Sequence, residues 1–358
     1  MIKRRKTKTV KIGSVKMGGR YPVSIQSMTK TDTASGAIRQ INALEKAGCE
    51  IVRVAVKDMS ALSALKKIRA KTNIPLVADI HFNYRLGLEA IACGVDCLRL
   101  NPGNIYRREE VRRIAQAAGK RRIPIRVGVN SGSLRTTNYE LRTIKIETLM
   151  VKAALDYIKM LESFDFYDII VSMKASDVSA TINAYRKMSR LSSYPFHLGV
   201  TATGSGREGL IKSAIGIGSL LLEGIGDTVR VSLTGSPQEE VKAAKEILQA
   251  LGLRRFDPEI IACPTCGRCQ VDLLRIVKDV NDKLNTIKAE VRPAKVAIMG
   301  CEVNGPGEAR DADIGVACGK RSAVLFERGK VIRRIKESQI VDTVIREITS
   351  KEREDALV

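Results

Sequence analysis

The feature that most constrains this 358-residue chain is a unit that recurs eight times: a short β-branched run, a polar turn, then a stretch of helical periodicity. The runs are Val23 to Met28, Ile51 to Val56, Pro75 to Ile80, Cys97 to Pro102, Pro124 to Asn130, Asp168 to Lys174, Phe196 to Thr201 and Asp227 to Leu233. Helical patterns such as Ser60 to Ala70, Ile146 to Leu161 and Gln238 to Leu251 lie between them, the last opened by Ser236-Pro237 as cap and first-turn residue. Eight β/α units in about 250 residues predict a (β/α)8 TIM barrel. An open doubly wound sheet would carry a glycine-rich dinucleotide fingerprint after its first strand, and that stretch holds none. Ahead of the first unit, Lys8 to Gly19 alternates apolar and polar about Gly13-Ser14, which predicts a small β-hairpin.

The pattern breaks at Gly252 to Ala262. Beyond it the sequence predicts a helix over Val271 to Leu284, a strand over Lys295 to Met299, an Asn-Gly-Pro-Gly loop, a strand around Ile314 to Ala317, a hairpin over Val324 to Ile332 and a helix from Gln339. Two domains are therefore expected: residues 1–252, the barrel with its hairpin, and residues 253–358, a smaller α+β domain large enough for its own core.

Four of the eight strands place an arginine between two apolar residues: Val52-Arg53-Val54, Leu98-Arg99-Leu100, Ile125-Arg126-Val127 and Val229-Arg230-Val231. Neighbours on a strand point to opposite faces, so the apolar pair faces the helices and the arginine faces the barrel axis. Buried guanidiniums need partners. Asp79 is the clear internal carboxylate; Asn101, Asn130 and Lys174 end the fourth, fifth and sixth strands, where barrel enzymes place substrate groups. The balance makes a cationic mouth, whose natural complement carries two phosphates, because arginine forks take phosphate oxygens bidentately. The competing arrangement is an internal network joining the arginines to Asp79 and to glutamates from loops. Of the two histidines, His81 is expected at the mouth as a donor to a phosphate or substrate oxygen, and His197 as a structural residue. Gly204-Ser205-Gly206 reads as a flexible loop beside the ligand.

Cys263-Pro264-Thr265-Cys266 is a liganding turn: two thiolates two residues apart can grip one soft metal centre or an iron–sulfur cluster. Spacing alone leaves Cys269, Cys301 and Cys318 open as further ligands, whereas Cys49, Cys93 and Cys97 sit singly in apolar runs and read as core. The formal charge of +22 favours phosphorylated or polyanionic partners. Aromatic residues are only 4% and Trp is absent, so a platform for stacking nucleic-acid bases is poorly supported, and runs such as Lys3-Arg4-Arg5-Lys6 read as solvated charge. No apolar run spans a membrane and the basic N-terminus has no apolar segment behind it, so no membrane partner and a cytoplasmic location with reduced thiols are expected.

Taken in order, Gln26-Ser27-Met28-Thr29 with Thr31-Asp32-Thr33, Asp79-Ile80-His81-Phe82, Arg99-Leu100-Asn101-Pro102-Gly103-Asn104, Arg126-Val127-Gly128-Val129-Asn130, Lys174-Ala175-Ser176-Asp177, Gly224-Ile225-Gly226-Asp227-Thr228, Cys263-Pro264-Thr265-Cys266-Gly267-Arg268 and Asn304-Gly305-Pro306-Gly307-Glu308 resemble the 4-hydroxy-3-methylbut-2-enyl diphosphate synthases of the non-mevalonate isoprenoid pathway. The resemblance covers nearly the whole chain. It implies reductive ring opening of 2-C-methyl-D-erythritol 2,4-cyclodiphosphate, with a [4Fe-4S] cluster fed two electrons by ferredoxin or flavodoxin. It implies Cys263, Cys266, Cys301 and Glu308 as cluster ligands, Glu308 being the catalytic one because a carboxylate is the most readily displaced by a substrate oxygen. Arg53, Arg99, Arg126, Lys174 and Arg230, with Asn101, Asn130 and Ser232, would hold the cyclodiphosphate, beside Asp79 and His81. The resemblance further implies a homodimer in which the cluster domain of one protomer closes over the barrel of the other.

Two positions depart from the family pattern. Thr201-Ala202-Thr203-Gly204 stands where the family reads Thr-Glu-Ala-Gly, so a methyl group replaces a carboxyl that reaches the substrate, with Glu208 six residues on as a conceivable substitute. Asn83 replaces a common Asp. The alternatives kept beside this reading are a related iron–sulfur reductase acting on another phosphorylated substrate and a zinc-stabilised basic RNA-binding protein.

Overall fold

The computed structural model describes residues 2–201, 204, 206–287, 294–303, 305–310 and 312–355. The chain forms two compact units, Met1–Arg254 and Arg255–Val358.

The first unit opens with an antiparallel hairpin, β1 (Val10–Ile12) and β2 (Val15–Met17). Eight strands follow: β3 (Ser24–Met28), β4 (Ile51–Val56), β5 (Leu76–Ile80), β6 (Cys97–Leu100), β7 (Ile125–Asn130), β8 (Ile169–Lys174), β9 (His197–Leu198) and β10 (Thr228–Val229). They pair in parallel in the order β8-β7-β6-β5-β4-β3-β10-β9. A parallel bridge between Val171 and Phe196 joins the two ends, so the sheet closes into the predicted barrel. Helices between the strands form the outer layer, and six of them start on a side chain that caps a free backbone N–H: Thr33, Asp58, Asn83, Thr137, Asp177 and Ser236. Asn83 Oδ1 accepts from Arg85 N at 3.0 Å, a role that Asn and Asp fill equally well, so this departure is structurally neutral. The apolar neighbours of the strand arginines are all buried. Each contributes about 1.5–3 kcal/mol relative to exposure, which is what fixes the arginines on the opposite, inward face.

The hairpin plugs the barrel floor. Val10, Ile12 and Met17 pack against Ile51, Val77, Cys97 and Ile170, which lie one inward position before Arg53, Asp79, Arg99 and Ser172. Burial pushes the Cys97 thiol up to about 12, as expected for a core cysteine. The segment ahead of the hairpin is not simply solvated charge. Arg4 pairs with Asp227 at 2.8 Å, and the Arg5 guanidinium lies 3.9 Å from the Phe196 ring centroid while donating to the carbonyls of Ser192 and Tyr194. A basic run reads as a surface feature until the chain supplies an aromatic face and unpaired loop carbonyls beneath it.

The second unit is a five-stranded mixed sheet of β11 (Glu259–Ala262), β12 (Lys295–Met299), β13 (Ile314–Gly319), β14 (Ser322–Glu327) and β15 (Lys330–Lys336), in sequence order. The first three strands are parallel and the last three antiparallel. Helices Leu273–Thr286 and Ile340–Asp355 cover one face, burying Val296, Ile298, Val316, Cys318 and Leu325.

Candidate functional site

Strand register builds the barrel mouth. Asp79 stands opposite Arg99, and Arg99 opposite Arg126. Asp79 Oδ1 lies 3.1 Å from Arg99 Nη1, Asp79 Oδ2 lies 3.6 Å from Arg53 Nε, and His81 Nε2 lies 3.8 Å from the same oxygen. Burial alone would raise the Asp79 carboxyl; the Arg53 guanidinium, the His81 imidazole close by and Arg99 outweigh it and hold the group far below the usual carboxylate range. Arg126 donates through Nη1 to Gln26 Oε1 at 2.5 Å. Arg230 meets Glu240 at 3.5 Å, and Glu240, fully buried, also takes Lys30 at 2.9 Å and the Leu233 amide at 3.0 Å.

Two glycines make this density of long side chains possible. A Cβ on Gly128 would lie 2.4 Å from Arg99 Nε, and one on Gly199 would lie 2.5 Å from Lys174 Nζ and 2.6 Å from the Arg230 carbonyl. Neither position tolerates a side chain without displacing a cation.

The site is short of negative charge. Among the described residues, five cationic side chains (Arg53, Arg99, Arg126, Lys174 and Arg230) face two carboxylates, Asp79 and Glu240, and no carboxylate pairs with Lys174. Burial, reinforced by mutual repulsion, pushes Arg53 and Lys174 well below their ordinary values and Arg126 down to about 10. Such a cluster is satisfied by an anion that enters it. Above it opens a cavity of about 670 Å³, large enough for a small phosphorylated ligand. All ten residues expected from the sequence line it: Arg53, Asp79, His81, Arg99, Asn101, Arg126, Asn130, Lys174, Arg230 and Ser232. Asn101 is also a wall element, since its Nδ2 donates to Ser133 Oγ at 2.8 Å and its Oδ1 accepts from Gly103 N at 3.0 Å. Ala202 lies outside the described residues.

Sequence reasoning missed Gln26, Ser172 and Glu240. The first two share the inward parity of the strand cations and were legible from it; Glu240 sits on the helix Pro237–Ala250, where nothing local marks a charge that turns inward. The alternative of an internal network is thus half right: Glu240 adds a carboxylate, from a helix instead of a loop, and the surplus of positive charge remains.

In the second unit, adjacent parallel strands end side by side, so the residues just past β11 and β12 share one edge. Cys263 follows β11 and Gly300-Cys301 follow β12. Gly300 N donates to Cys263 Sγ at 3.3 Å, and a Cβ on Gly300 would lie 2.5 Å from Cys269 Sγ and 3.5 Å from Cys263 Sγ. Cys266 is exposed in the turn, and hydrogen bonds from the Arg268 backbone and side chain lower its thiol, favouring the thiolate that a soft metal needs. Cys318 points into the helix-covered core, and burial pushes it up to about 12. It is a protonated packing residue. Cys269 faces Gly300 yet donates to the Val271 carbonyl at 3.3 Å. Glu308, exposed, ends the helical turn Gly305–Glu308. Among the described residues no three Cys, His, Asp or Glu side chains converge as a single-ion site. The sulfur donors suit an iron–sulfur cluster, in which each ligand holds a different iron.

Fold and site together define a class: a (β/α)8-barrel enzyme with an anion-binding mouth, carried on one chain with a cysteine-bearing sheet domain. The barrel matches the GcpE TIM-barrel domain over residues 7–245, and the second unit matches the GcpE protein C-terminal domain over residues 259–350. The chain belongs to the GcpE family. It is 53% identical over 97% of its length to a 4-hydroxy-3-methylbut-2-en-1-yl diphosphate synthase (flavodoxin) of Thermodesulfovibrio yellowstonii, covering 99% of that protein. It is 52% identical over 96% of its length to the protein of the same name from Clostridium perfringens, again covering 99%. Among solved structures, a type I 3-dehydroquinate dehydratase from Clostridium difficile matches 69% of this chain and 97% of its own with a TM-score of 0.50; at 14% identity this is a likeness of fold alone.

Proposed function

We propose that the protein catalyses the reductive ring opening of 2-C-methyl-D-erythritol 2,4-cyclodiphosphate to 4-hydroxy-3-methylbut-2-enyl diphosphate in non-mevalonate isoprenoid biosynthesis. The observation that carries this reading is the surplus of buried positive charge at the barrel mouth, together with the name shared by relatives about half identical over the whole chain. Neither a different phosphorylated substrate nor RNA binding finds comparable support.

Arg53, Arg99, Arg126, Lys174 and Arg230 bind the two phosphates in this reading, and Asn101, Asn130 and Ser232 orient the sugar carbons. Asp79 locks the Arg53 and Arg99 forks before the ligand arrives, so that little ordering remains to be done on binding. His81, one third exposed at the rim, donates to a phosphate or hydroxyl oxygen. The overall change takes up two electrons and two protons and releases one water.

Cys263, Cys266, Cys301 and the catalytic Glu308 would hold a [4Fe-4S] cluster, which when bound supplies the electrons one at a time through an iron whose carboxylate ligand can be exchanged. Flavodoxin, as in the relatives' names, or ferredoxin is the donor. No helix among the described residues is long and apolar enough to cross a membrane. We take the working form to be a homodimer in the cytoplasm, where thiolate ligands stay reduced.

The test is anaerobic turnover of the reconstituted protein with dithionite and a mediator, followed by 31P NMR. Conversion of the cyclic diphosphate to a linear allylic diphosphate is expected. No conversion by wild type or by Ala202→Glu overturns the proposal; conversion by Ala202→Glu alone keeps the reaction and assigns the loss to the seventh-strand segment.

A further inference from the structure

The floor beneath the anion pocket has two halves. Under Arg53, Asp79 and Arg99 it is apolar and sealed by the hairpin. Under Gln26, Arg230 and Gly199 it is polar. The residues one inward position earlier on β3, β10 and β9 are Ser24, Thr228 and His197, and they stand in one register row, Thr228 pairing with Ser24 on one side and His197 on the other. All three are at least 98% buried. Among the described residues, Ser24 Oγ, Thr228 Oγ1 and both ring nitrogens of His197 have no hydrogen-bond partner, and Arg126 Nη2 and Arg230 Nε just above are likewise unpartnered. Six orphaned polar atoms carried by one register row and the arginines beside it do not persist dry, because each forfeits its hydrogen bonds to water and gains none in return; such clusters hold ordered water.

We infer that Ser24, Thr228 and His197 floor a hydrated chamber continuous with the barrel mouth, and that His197 takes up a proton there when a diphosphate occupies the mouth. This rests on the proposed reading of the mouth as a diphosphate site. The charged groups facing His197 are Arg53 from β4, Arg126 from β7, Lys174 from β8 and Arg230 from β10. Tyr185, from the helix Val178–Leu191, donates its hydroxyl to the His197 carbonyl, and Asp227, just before β10, is spent on the Phe196 amide and Arg4. Among the described residues no carboxylate pairs with the ring, and burial followed by the field of these cations disfavours its protonation in the free protein. A diphosphate cancels the cationic field while the chamber water tempers the burial, so the imidazole gains basicity on binding. One proton passes from solvent to a ring nitrogen, and no other bond changes. A reaction that consumes two protons then finds one stored beside the substrate.

With only two histidines in the chain, the measurement is direct. The oxidised holoenzyme, labelled with 13C and 15N at histidine, is titrated by NMR with and without saturating inorganic pyrophosphate, the His197 signal being assigned with His81→Gln and pyrophosphate binding followed by calorimetry. Free enzyme should show an imidazole that stays neutral well below the ordinary histidine range, and the pyrophosphate complex one whose titration has moved up toward its ordinary value of about 6.5. A His197 that stays neutral in the complex, or that titrates normally without ligand, overturns the inference while leaving the diphosphate site intact. Absence of pyrophosphate binding overturns both.

Discussion

Replacing Asp79 by Asn keeps the shape of the side chain and removes the one carboxylate shared by Arg53, Arg99 and His81. The surplus of positive charge at the mouth then rises from three to four. Removing one partner of a buried ion pair costs roughly 3–5 kcal/mol, because the remaining charge is left uncompensated. In a domain of about 250 residues each kcal/mol moves the melting temperature by about 2–4 °C, so the barrel transition of Asp79→Asn should fall by about 6–20 °C in calorimetry at low salt. Two further outcomes separate this cause from generic damage. Pyrophosphate should raise the melting temperature of the variant by more than that of wild type, because the bound anion supplies the charge the carboxylate gave. The wild-type advantage should also be flat from pH 5 to pH 8. A carboxyl depressed in the folded state contributes its full stabilisation above the unfolded value of about 3.9, and loses it only as pH falls toward the folded value far below. A shift under 2 °C, an equal response to pyrophosphate, or a difference that changes across that pH range would refute the assignment of Asp79 as the organiser of the mouth.

Gly199→Ala puts a methyl group on Lys174 Nζ and the Arg230 carbonyl, and we expect the KM for the cyclic diphosphate to rise about tenfold or more, one displaced charged hydrogen bond being worth about 1.5–3 kcal/mol. Cys263→Ser should lose iron after reconstitution, whereas Cys318→Ser should keep it and lose about 1–3 kcal/mol of stability to an unpaired hydroxyl in the core; iron analysis and thermal unfolding read the two. Arg268→Ala removes one of the groups that acidify Cys266, so iodoacetamide should alkylate that thiol in the metal-free protein more slowly at pH 7.5 than in wild type, as measured by mass spectrometry. Arg5→Ala deletes the stacking on Phe196 and two hydrogen bonds to loop carbonyls, and should lower the barrel's melting temperature by about 4–8 °C, corresponding to about 2 kcal/mol.

The barrel, the inward arginines and the cysteine turn were legible in the sequence because each rests on a local rule. Strand and helix periods announce the eight units, and the two-residue alternation of a strand assigns Arg53, Arg99, Arg126 and Arg230 to the face opposite their apolar neighbours. The C-x-x-C spacing marks Cys263 and Cys266 without reference to the rest of the chain. What remained hidden depends on register and approach between distant segments. Glu240 becomes a partner of Arg230 only when its helix docks on β3 and β10. Cys318 is separated from Cys301 as a core residue only because strand pairing turns it toward the helices, and Arg4 and Arg5 change from solvated charge to clasps only when Asp227 and Phe196 lie beneath them. His197, read from sequence as structural, gains its orphaned ring nitrogens and its row-mates Ser24 and Thr228 from a ring of strands that closes across some 200 residues. Periodicity determined which face each side chain takes; only the closed barrel decided what it meets there, because partners brought together by closure leave no trace in the spacing of either segment.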